Sequence, residues 1–331
     1  MRCVESPVLD DLDHRIIHAL YVDGRVAFSR MAEVLGSSEQ TVARRYRRLR
    51  DDHRVRVVGQ LDSQRLGRSD WAVRIRCTPD AAVPVATALA KRPDTAWVQL
   101  TSGGTEISCM VNAHDEQRRA ALLLEQLPAS NRIVGLEAFC LLHVFSSATS
   151  TAPGAEGLSP EEVRRLTPPT RPDGGGADRA VAVIAEEDWP LVRALEVDGR
   201  ATHRELAART HRHESTVRRR VDELIGSGML YFDLDVDSEL LGLRSRANLW
   251  ASVAPSALMA VGAALTEHRE VPFVAATTGR TNLMASLACR DDVALFEFLT
   301  REIAALDGVT HLETSPVIRS VKMHTTLTRA Q

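Results

Sequence analysis

The chain lacks a cysteine framework. Its five cysteines (Cys3, Cys77, Cys109, Cys140 and Cys289) are odd in number and show no CxxC spacing. That excludes a disulfide scaffold and a cysteine-built zinc site, and it predicts reduced, mostly buried thiols in a cytoplasmic protein. No apolar run approaches the length of a membrane span, and the N-terminus carries no apolar signal stretch, so no membrane partner is expected. An excess of either charge is also missing. The 41 Lys and Arg against 44 Asp and Glu give a formal net charge of −3, which argues against a protein that coats nucleic acid without preference. GxSxG, phosphate-loop and HExxH motifs are all absent, so no catalytic set emerges. His203, His211 and His213 cluster, but the close pair is two positions apart and only Glu214 stands beside them. Ligand histidines are usually three to five apart, so neither a metal nor a cofactor is predicted.

What the chain does have is a repeat. Ala19-Leu20-Tyr21-Val22-Asp23-Gly24-Arg25 returns 175 positions later as Ala194-Leu195-Glu196-Val197-Asp198-Gly199-Arg200, and Thr41-Val42 with Arg44-Arg45 returns as Thr216-Val217 with Arg219-Arg220. A period this long marks a duplicated module rather than a solenoid. The Val-Asp-Gly-Arg tetrapeptide is expected only to close the first helix of each copy. Between the copies, residues 147–179 read as a linker rich in Ser, Thr, Pro and Gly. Ser159-Pro160-Glu161-Glu162 predicts one short helix inside it, to about Leu166.

Apolar spacing predicts three helices in residues 1–60: Leu9 to Tyr21, Phe28 to Leu35, and a third capped by Ser37 or Ser38, with Ser37 and Gln40 fitting a capping box. The third buries Val42, Tyr46 and Leu49 and leaves Gln40, Thr41, Arg44, Arg45 and Arg48 outward. A tight turn before a basic third helix is a helix-turn-helix layout, and Val55–Val58 reads as a wing or linker strand. Residues 68–146 read βαββαβ, a ferredoxin-like sandwich. Residues 180–236 repeat the helical unit, and 244–327 repeat the sandwich at an offset of 176. The predicted class is therefore α+β, with two winged helix-turn-helix domains and two ferredoxin-like βαββαβ domains in tandem.

This arrangement resembles the Lrp/AsnC family of transcriptional regulators. Leu9-Asp10, Asp13, Ile16-Ile17, Asp23-Gly24-Arg25, Leu35-Gly36-Ser37, Thr41-Val42 and Arg45 follow that family's DNA-binding pattern. Leu191, Leu195, Asp198-Gly199-Arg200, Val217 and Arg220 follow it again. Glu313-Thr314-Ser315 to Val321-Lys322 looks like its closing strand. The resemblance implies double-stranded DNA and a small-molecule effector, often an amino acid, as partners. It also implies pairing of the sandwich domains, here within one chain as a pseudo-dimer, with further assembly into a homo-oligomer expected.

Charge runs usually mean a solvated face. Seven arginines between Arg44 and Arg56, on a helix after a turn, favour DNA contact instead. The candidate DNA residues are Ser38, Gln40, Thr41, Arg44, Arg45 and Arg48, with Ser215, Thr216, Arg218 and Arg219 in the second copy. There Asp222 and Glu223 replace Arg47 and Arg48, while His211 and His213 replace the turn glycine Gly36 and the cap Ser38. The candidate effector residues are the loops Gly103-Gly104-Thr105-Glu106 and Gly279-Arg280-Thr281-Asn282. In the family, the matching loop has an acidic fourth residue at the ligand site. Glu106 lengthens that acid, and Asn282 removes its charge. Read plainly, either loop is a hairpin turn. The alternative enzyme resemblance is to siroheme decarboxylases, which share the fold and carry a histidine after the wing. Asp62 and Asp237 occupy that stretch here, and His53 lies too early.

Overall fold

The computed structural model describes residues 9–52, 54–112, 116–146, 157–168 and 183–324. Residues 1–8, His53, Asp115 and the expected linker apart from its helix lie outside them. In chain order the first half contains α1 (Asp11–Val22), α2 (Phe28–Leu35), α3 (Glu39–Asp51), β1 (Val55–Leu61), β2 (Trp71–Cys77), α4 (Ala82–Ala90), β3 (Thr95–Thr101), β4 (Glu106–Val111), α5 (Glu116–Ala120) and β5 (Ile133–Ser146). The linker helix is α6 (Pro160–Leu166). The second half contains α7 (Trp189–Val197), α8 (His203–Thr210), α9 (Glu214–Gly226), β6 (Leu230–Val236), β7 (Ser245–Val253), α10 (Leu258–Thr266), β8 (Phe273–Thr277), β9 (Leu283–Cys289), α11 (Asp292–Glu297) and β10 (Val309–Lys322). π-helical turns extend α5 to Gln126 and α11 to Glu302. These elements form two compact units, each drawn from both halves of the chain.

The first unit gathers the two helical repeats and α6. Asp10 starts α1 through a capping box with Asp13, which satisfies two of the helix's orphan donors. Ile16, Ile17 and Leu20 of α1 pack with Met31 of α2 and with Val42, Tyr46 and Leu49 of α3 in one buried core. Gly36 ends α2 in the left-handed region, at φ 63°. Ser38 caps α3 by accepting from the Thr41 amide, so the box expected between Ser37 and Gln40 does not form. In the second copy His211 adopts the same left-handed turn at φ 54°. The missing glycine has therefore not changed the path, although a β-carbon there costs roughly 1 kcal/mol. The linker helix α6 starts with a capping box between Ser159 and Glu162, and buries Leu166 against the first repeat. Ion pairs from Arg15 to Glu162 (2.6 Å) and from Arg165 to Glu33 (2.8 Å) flank that contact.

The strand read as a wing or linker does not fold back on its own repeat. β1 pairs antiparallel with β6 of the other copy, from Val55 opposite Val236 to Leu61 opposite Leu230. The repeated tetrapeptide explains why this pairing is close. A β-carbon on Gly24 would sit 2.9 Å from Val57, and one on Gly199 would sit 2.9 Å from Phe232. The arginines that follow cross over. Arg25 donates to the carbonyls of Gly199 (2.6 Å) and Ala201 (3.3 Å), and Arg200 donates to those of Gly24 (2.7 Å) and Val26 (2.8 Å). The tetrapeptide thus ends each first helix and also clasps the two repeats together. The expectation that it only closes a helix was too narrow.

The second unit holds both αβ repeats. Each has the order second–third–first–fourth strand, as a ferredoxin-like sheet requires. The fourth strand of each repeat then pairs with the second strand of the other, β5 with β8 and β10 with β3, closing an eight-stranded barrel. Closure removes the sheet edges. One face of each half packs on its own helices, through Val73, Ile75, Val98 and Ile107 in the first and Leu249, Val274, Leu283 and Ala285 in the second. The alternate residues face inward. There Phe139 stacks on Trp250 with ring centroids 4.8 Å apart. Among the described residues no helix is long and apolar enough to cross a membrane.

The β1–β6 ribbon buries an acid. Asp233 of β6 lies opposite Val58 and receives the Leu234 amide (2.7 Å) and the Gln60 side chain (3.3 Å). Burial first, and then the nearby Asp235 carboxylate, push its pKa up to about 6 from 3.8. The folded state therefore holds this proton more tightly than the unfolded chain. Stability is greatest below about pH 4 for this group and falls as pH rises to about 6, by about 3 kcal/mol in all. Replacing Asp233 with Asn should remove that decline and raise stability at pH 7.5 relative to the parent. Urea melts of both proteins between pH 5 and pH 8 check this, and parallel curves would contradict it.

Candidate DNA interface and effector cavity

Positions four and then three apart on a helix share a face. Gln40, Arg44 and Arg47 therefore form one stripe on α3, and all three are exposed. Among the described residues, neither Arg44 nor Arg47 has an ion pair. Arg45, expected outward, instead turns inward. Its guanidinium donates to Asp10 (2.5 Å) and to the buried Asp13 (3.1 Å), and its side chain is 22% exposed. The arginine beside it holds the Asp10 carboxyl below its ordinary range. Arg48 donates to the other Asp13 oxygen at 2.5 Å but remains half exposed. Ser38 and Thr41 are engaged with each other, since the Ser38 hydroxyl caps the helix and lies 2.9 Å from the Thr41 hydroxyl. Of the six candidates in this copy, the structure leaves Gln40 and Arg44 fully presented. Arg47, absent from the candidates, joins them, and the i, i+3 spacing from Arg44 could have found it.

The second copy keeps the buried acid and rewires its partners. Asp188 stands at the Asp13 position and receives Arg220 (2.7 Å), the counterpart of Arg45, and Arg212 (2.9 Å). Glu223, at the Arg48 position, pairs with Arg220 (2.9 Å) and Arg219 (3.7 Å). Arg218 lies 3.7 Å from Glu214. His213 precedes α9 without capping it, its ring 3.2 Å from the Ser215 hydroxyl. Ser215, Thr216, Arg218 and Arg219 are all exposed, and α9 therefore presents cations that already have acidic neighbours.

The two glycine-bearing loops meet in the barrel unit. Ser102, Thr105, Gly279, Arg280 and Thr281 line one cavity of about 840 Å³. Gly103 and Gly104 take positive φ values of 78° and 83° in the turn before Thr105. Arg74 and Phe139 also line the cavity, and Arg74 stacks over the Trp250 ring at 5.4 Å. The lining follows the duplication. At the offset of 176, Arg76 corresponds to Ser252, Thr105 to Thr281 and Glu137 to Glu313. The cavity thus lies between equivalent elements of the two repeats, with unequal groups on its two sides.

Neither fourth loop residue is free. Glu106 is buried and takes a two-pronged bond from Arg74 (3.1 and 3.3 Å), as well as the Thr101 hydroxyl (3.2 Å). Arg74 also forks onto Glu313 (2.5 and 3.0 Å) and so holds that carboxyl below its ordinary range. The Asn282 amide closes on the main chain of Val253, accepting from its N–H and donating to its C=O, both at 2.8 Å. These two candidates position the loops rather than offer a free polar group. Arg76, Arg280, Glu137 and His311 line the cavity with no ion pair among the described residues. Sequence reading missed Arg76, Glu137 and His311. The alternation of β2, which puts Arg74 and Arg76 on one face, was the available signal.

Comparison with known proteins agrees with this organisation. The model of the AsnC-type helix-turn-helix domain matches residues 9–50 and again 186–225, and that of the Lrp/AsnC ligand binding domain matches 247–327. An HTH-type transcriptional regulator of Halobacterium salinarum, LrpA1, is 31% identical over 121 residues, 36% of this chain and 85% of that protein. An uncharacterized HTH-type transcriptional regulator of Pyrococcus abyssi is 30% identical over 140 residues, 42% of this chain and 88% of that protein. This chain belongs to the Lrp/AsnC family of transcriptional regulators. Each of those Lrp/AsnC relatives corresponds, nearly whole, to less than half of it. A solved structure covers it more fully. Siroheme decarboxylase NirDL aligns over 94% of this chain and 93% of its own, with a TM-score of 0.60 and 14% identity, and so shares the fold. The first sandwich domain lies outside the Lrp/AsnC ligand-domain match and has the strand order of the second.

The ion pairs separate structural arginines from presented ones. Changing Arg45 to Ala should lower stability by about 2–3 kcal/mol, because it strips a partner from a buried carboxylate. Changing Arg44 to Ala should stay within about 0.5 kcal/mol of the parent. Chemical denaturation of the two variants tests the distinction, and equal stabilities would refute it.

Proposed function

We propose that this chain is a sequence-specific DNA-binding transcriptional regulator, controlled by one small acidic or zwitterionic metabolite, such as an amino acid, bound in the barrel cavity. The observation that carries the DNA reading is the exposed Gln40–Arg44–Arg47 stripe on the third helix of a helix-turn-helix, with no ion pair to its arginines among the described residues. Such cations neutralise phosphates and bond guanine edges, and glutamine suits adenine. The clasp and ribbon hold a second recognition helix in the same unit, so one chain presents the two readers that such proteins usually obtain by dimerising. Any homo-oligomer would then be built from these pseudo-dimers.

Three uncommitted groups support the effector reading. Arg76 and Arg280 offer donors for a ligand carboxylate, and Glu137 offers an acceptor for its ammonium group. This assignment moves the ammonium partner away from the fourth loop residues, which are already bonded. Because both loops border one cavity, a single chain binds one ligand. A ligand alters DNA affinity only through unequal affinity for two arrangements of the protein.

A second reading is an enzyme acting on siroheme. It is favoured by the likeness in fold, over 94% of this chain, to NirDL, a protein that has been crystallised with an iron-uroporphyrin III analogue. The cavity volume and its arginines also suit a large polycarboxylate. Absorbance changes of the tetrapyrrole on adding the protein would support it.

Fluorescence anisotropy with the protein's own promoter region should show tight, salt-sensitive binding. The variant with Arg44 and Arg47 both changed to Ala should bind at least tenfold more weakly and with a shallower salt slope. Unchanged binding would defeat the DNA assignment. Calorimetry against the twenty amino acids and common organic acids should find one site per chain, weakened tenfold or more by Arg76→Ala or Arg280→Ala.

A further inference from the structure

The two recognition faces are related by the duplication but do not match. On α3 the stripe is Gln40, Arg44 and Arg47, and 175 positions later on α9 it is Ser215, Arg219 and Asp222. All six residues are exposed. The last three line one open groove along α9 together with His213, Glu214, Arg218 and Glu223. One position is conserved in kind, Arg44 with Arg219. One loses length and reach, Gln40 with Ser215. The third reverses charge, Arg47 with Asp222. The surroundings differ in the same sense. Arg44 and Arg47 have no ion pair among the described residues, whereas Arg218 and Arg219 each lie 3.7 Å from a glutamate.

We infer that the operator of this chain is asymmetric, with two half-sites of different sequence in a fixed order, the first read by Gln40, Arg44 and Arg47 and the second by Ser215, Arg219 and Asp222. This rests on the DNA reading above. An arginine at the end of the stripe is satisfied by the acceptor edge of guanine or by a phosphate, and a carboxylate at the same place is repelled by both. The donor that suits Asp222 is the cytosine amino group. A homodimer cannot make this difference, because its halves are identical and its sites are palindromic. A duplicated chain can, provided that its two readers are locked to each other. The β1–β6 ribbon and the crossed bonds of Arg25 and Arg200 lock them.

Selection of bound duplexes by the full chain from a random pool, followed by sequencing, tests the inference. The expected motif has two half-sites separated by about one helical turn or a multiple of it, and they are not inverted copies of each other. Arg47→Ala should relax preference in one half only, and Asp222→Ala in the other only, each by roughly ten- to hundredfold at the affected base pair. Asp222→Arg combined with Glu223→Arg should shift the second half towards an inverted copy of the first. A palindromic motif for the parent, or a motif that Asp222→Ala leaves intact, overturns the asymmetry while leaving the DNA reading in place. No salt-sensitive binding to any duplex in the pool overturns the DNA reading itself.

Discussion

Two half-buried guanidinium groups set the frame for the helical unit. Arg25 and Arg200 each enter the other repeat and bond to two main-chain carbonyls there. Burial works against both charges, as the downward push on their pKa values shows. They are held by carbonyl dipoles and by aromatic faces, with Arg25 over Phe232 at 5.2 Å and Arg200 over Phe28 at 4.4 Å. Removing either would take these donors from two carbonyls of the other repeat, and Gly24 and Gly199 sit against Val57 and Phe232 with no room for a β-carbon. The glycine packing and the arginine–carbonyl bonds are reciprocal between the copies, which accounts for the tetrapeptide's presence in both.

The two copies share several internal contacts and differ at several positions on their recognition helices and around the cavity. The groups that repeat (Gly24 and Gly199, Arg25 and Arg200, Asp13 and Asp188, Arg45 and Arg220) all make contacts inside the fold. The groups that differ are found on the recognition helices and around the cavity: Arg47 against Asp222, Arg76 against Ser252, Glu106 against Asn282. In a homodimer the two surfaces are bound by one sequence. Joining the modules in one chain releases that constraint, and the differences on the recognition helices and around the cavity are where the release shows.

Much of this was legible in the sequence, because periodicity and punctuation are local. β2 and β4 fall where the alternation places them, and α6 starts at the serine and proline that predict it. What was not legible depends on long-range partners. No pattern around Val55–Val58 says that this strand pairs with residues 230–236 rather than with its own repeat. Arg45 and Arg44 look alike in a run of arginines, and only the position of Asp13, 32 residues earlier, turns one of them inward. Glu106 reads as an available acid until Arg74 and Thr101 are placed beside it. Asn282 reads as a lost charge, when its amide is in fact bonded to the Val253 main chain.

The second recognition helix shows how a surface can change charge without loss of the fold. Asp13 needs two arginines, and in the first copy both come from α3. If Arg48 were simply replaced by glutamate, a buried carboxylate would lose one partner and gain a repulsive neighbour, at a cost of several kcal/mol. The second copy avoids this by drawing its other arginine from the turn. Arg212, at the position of Ser37, donates to Asp188 beside Arg220. With the buried acid satisfied from the turn, position 223 was free to become acidic, and Glu223 now pairs with Arg219 and Arg220 instead. The acidic residue at position 223 therefore depends on one substitution in the turn that precedes the helix, away from the exposed stripe itself.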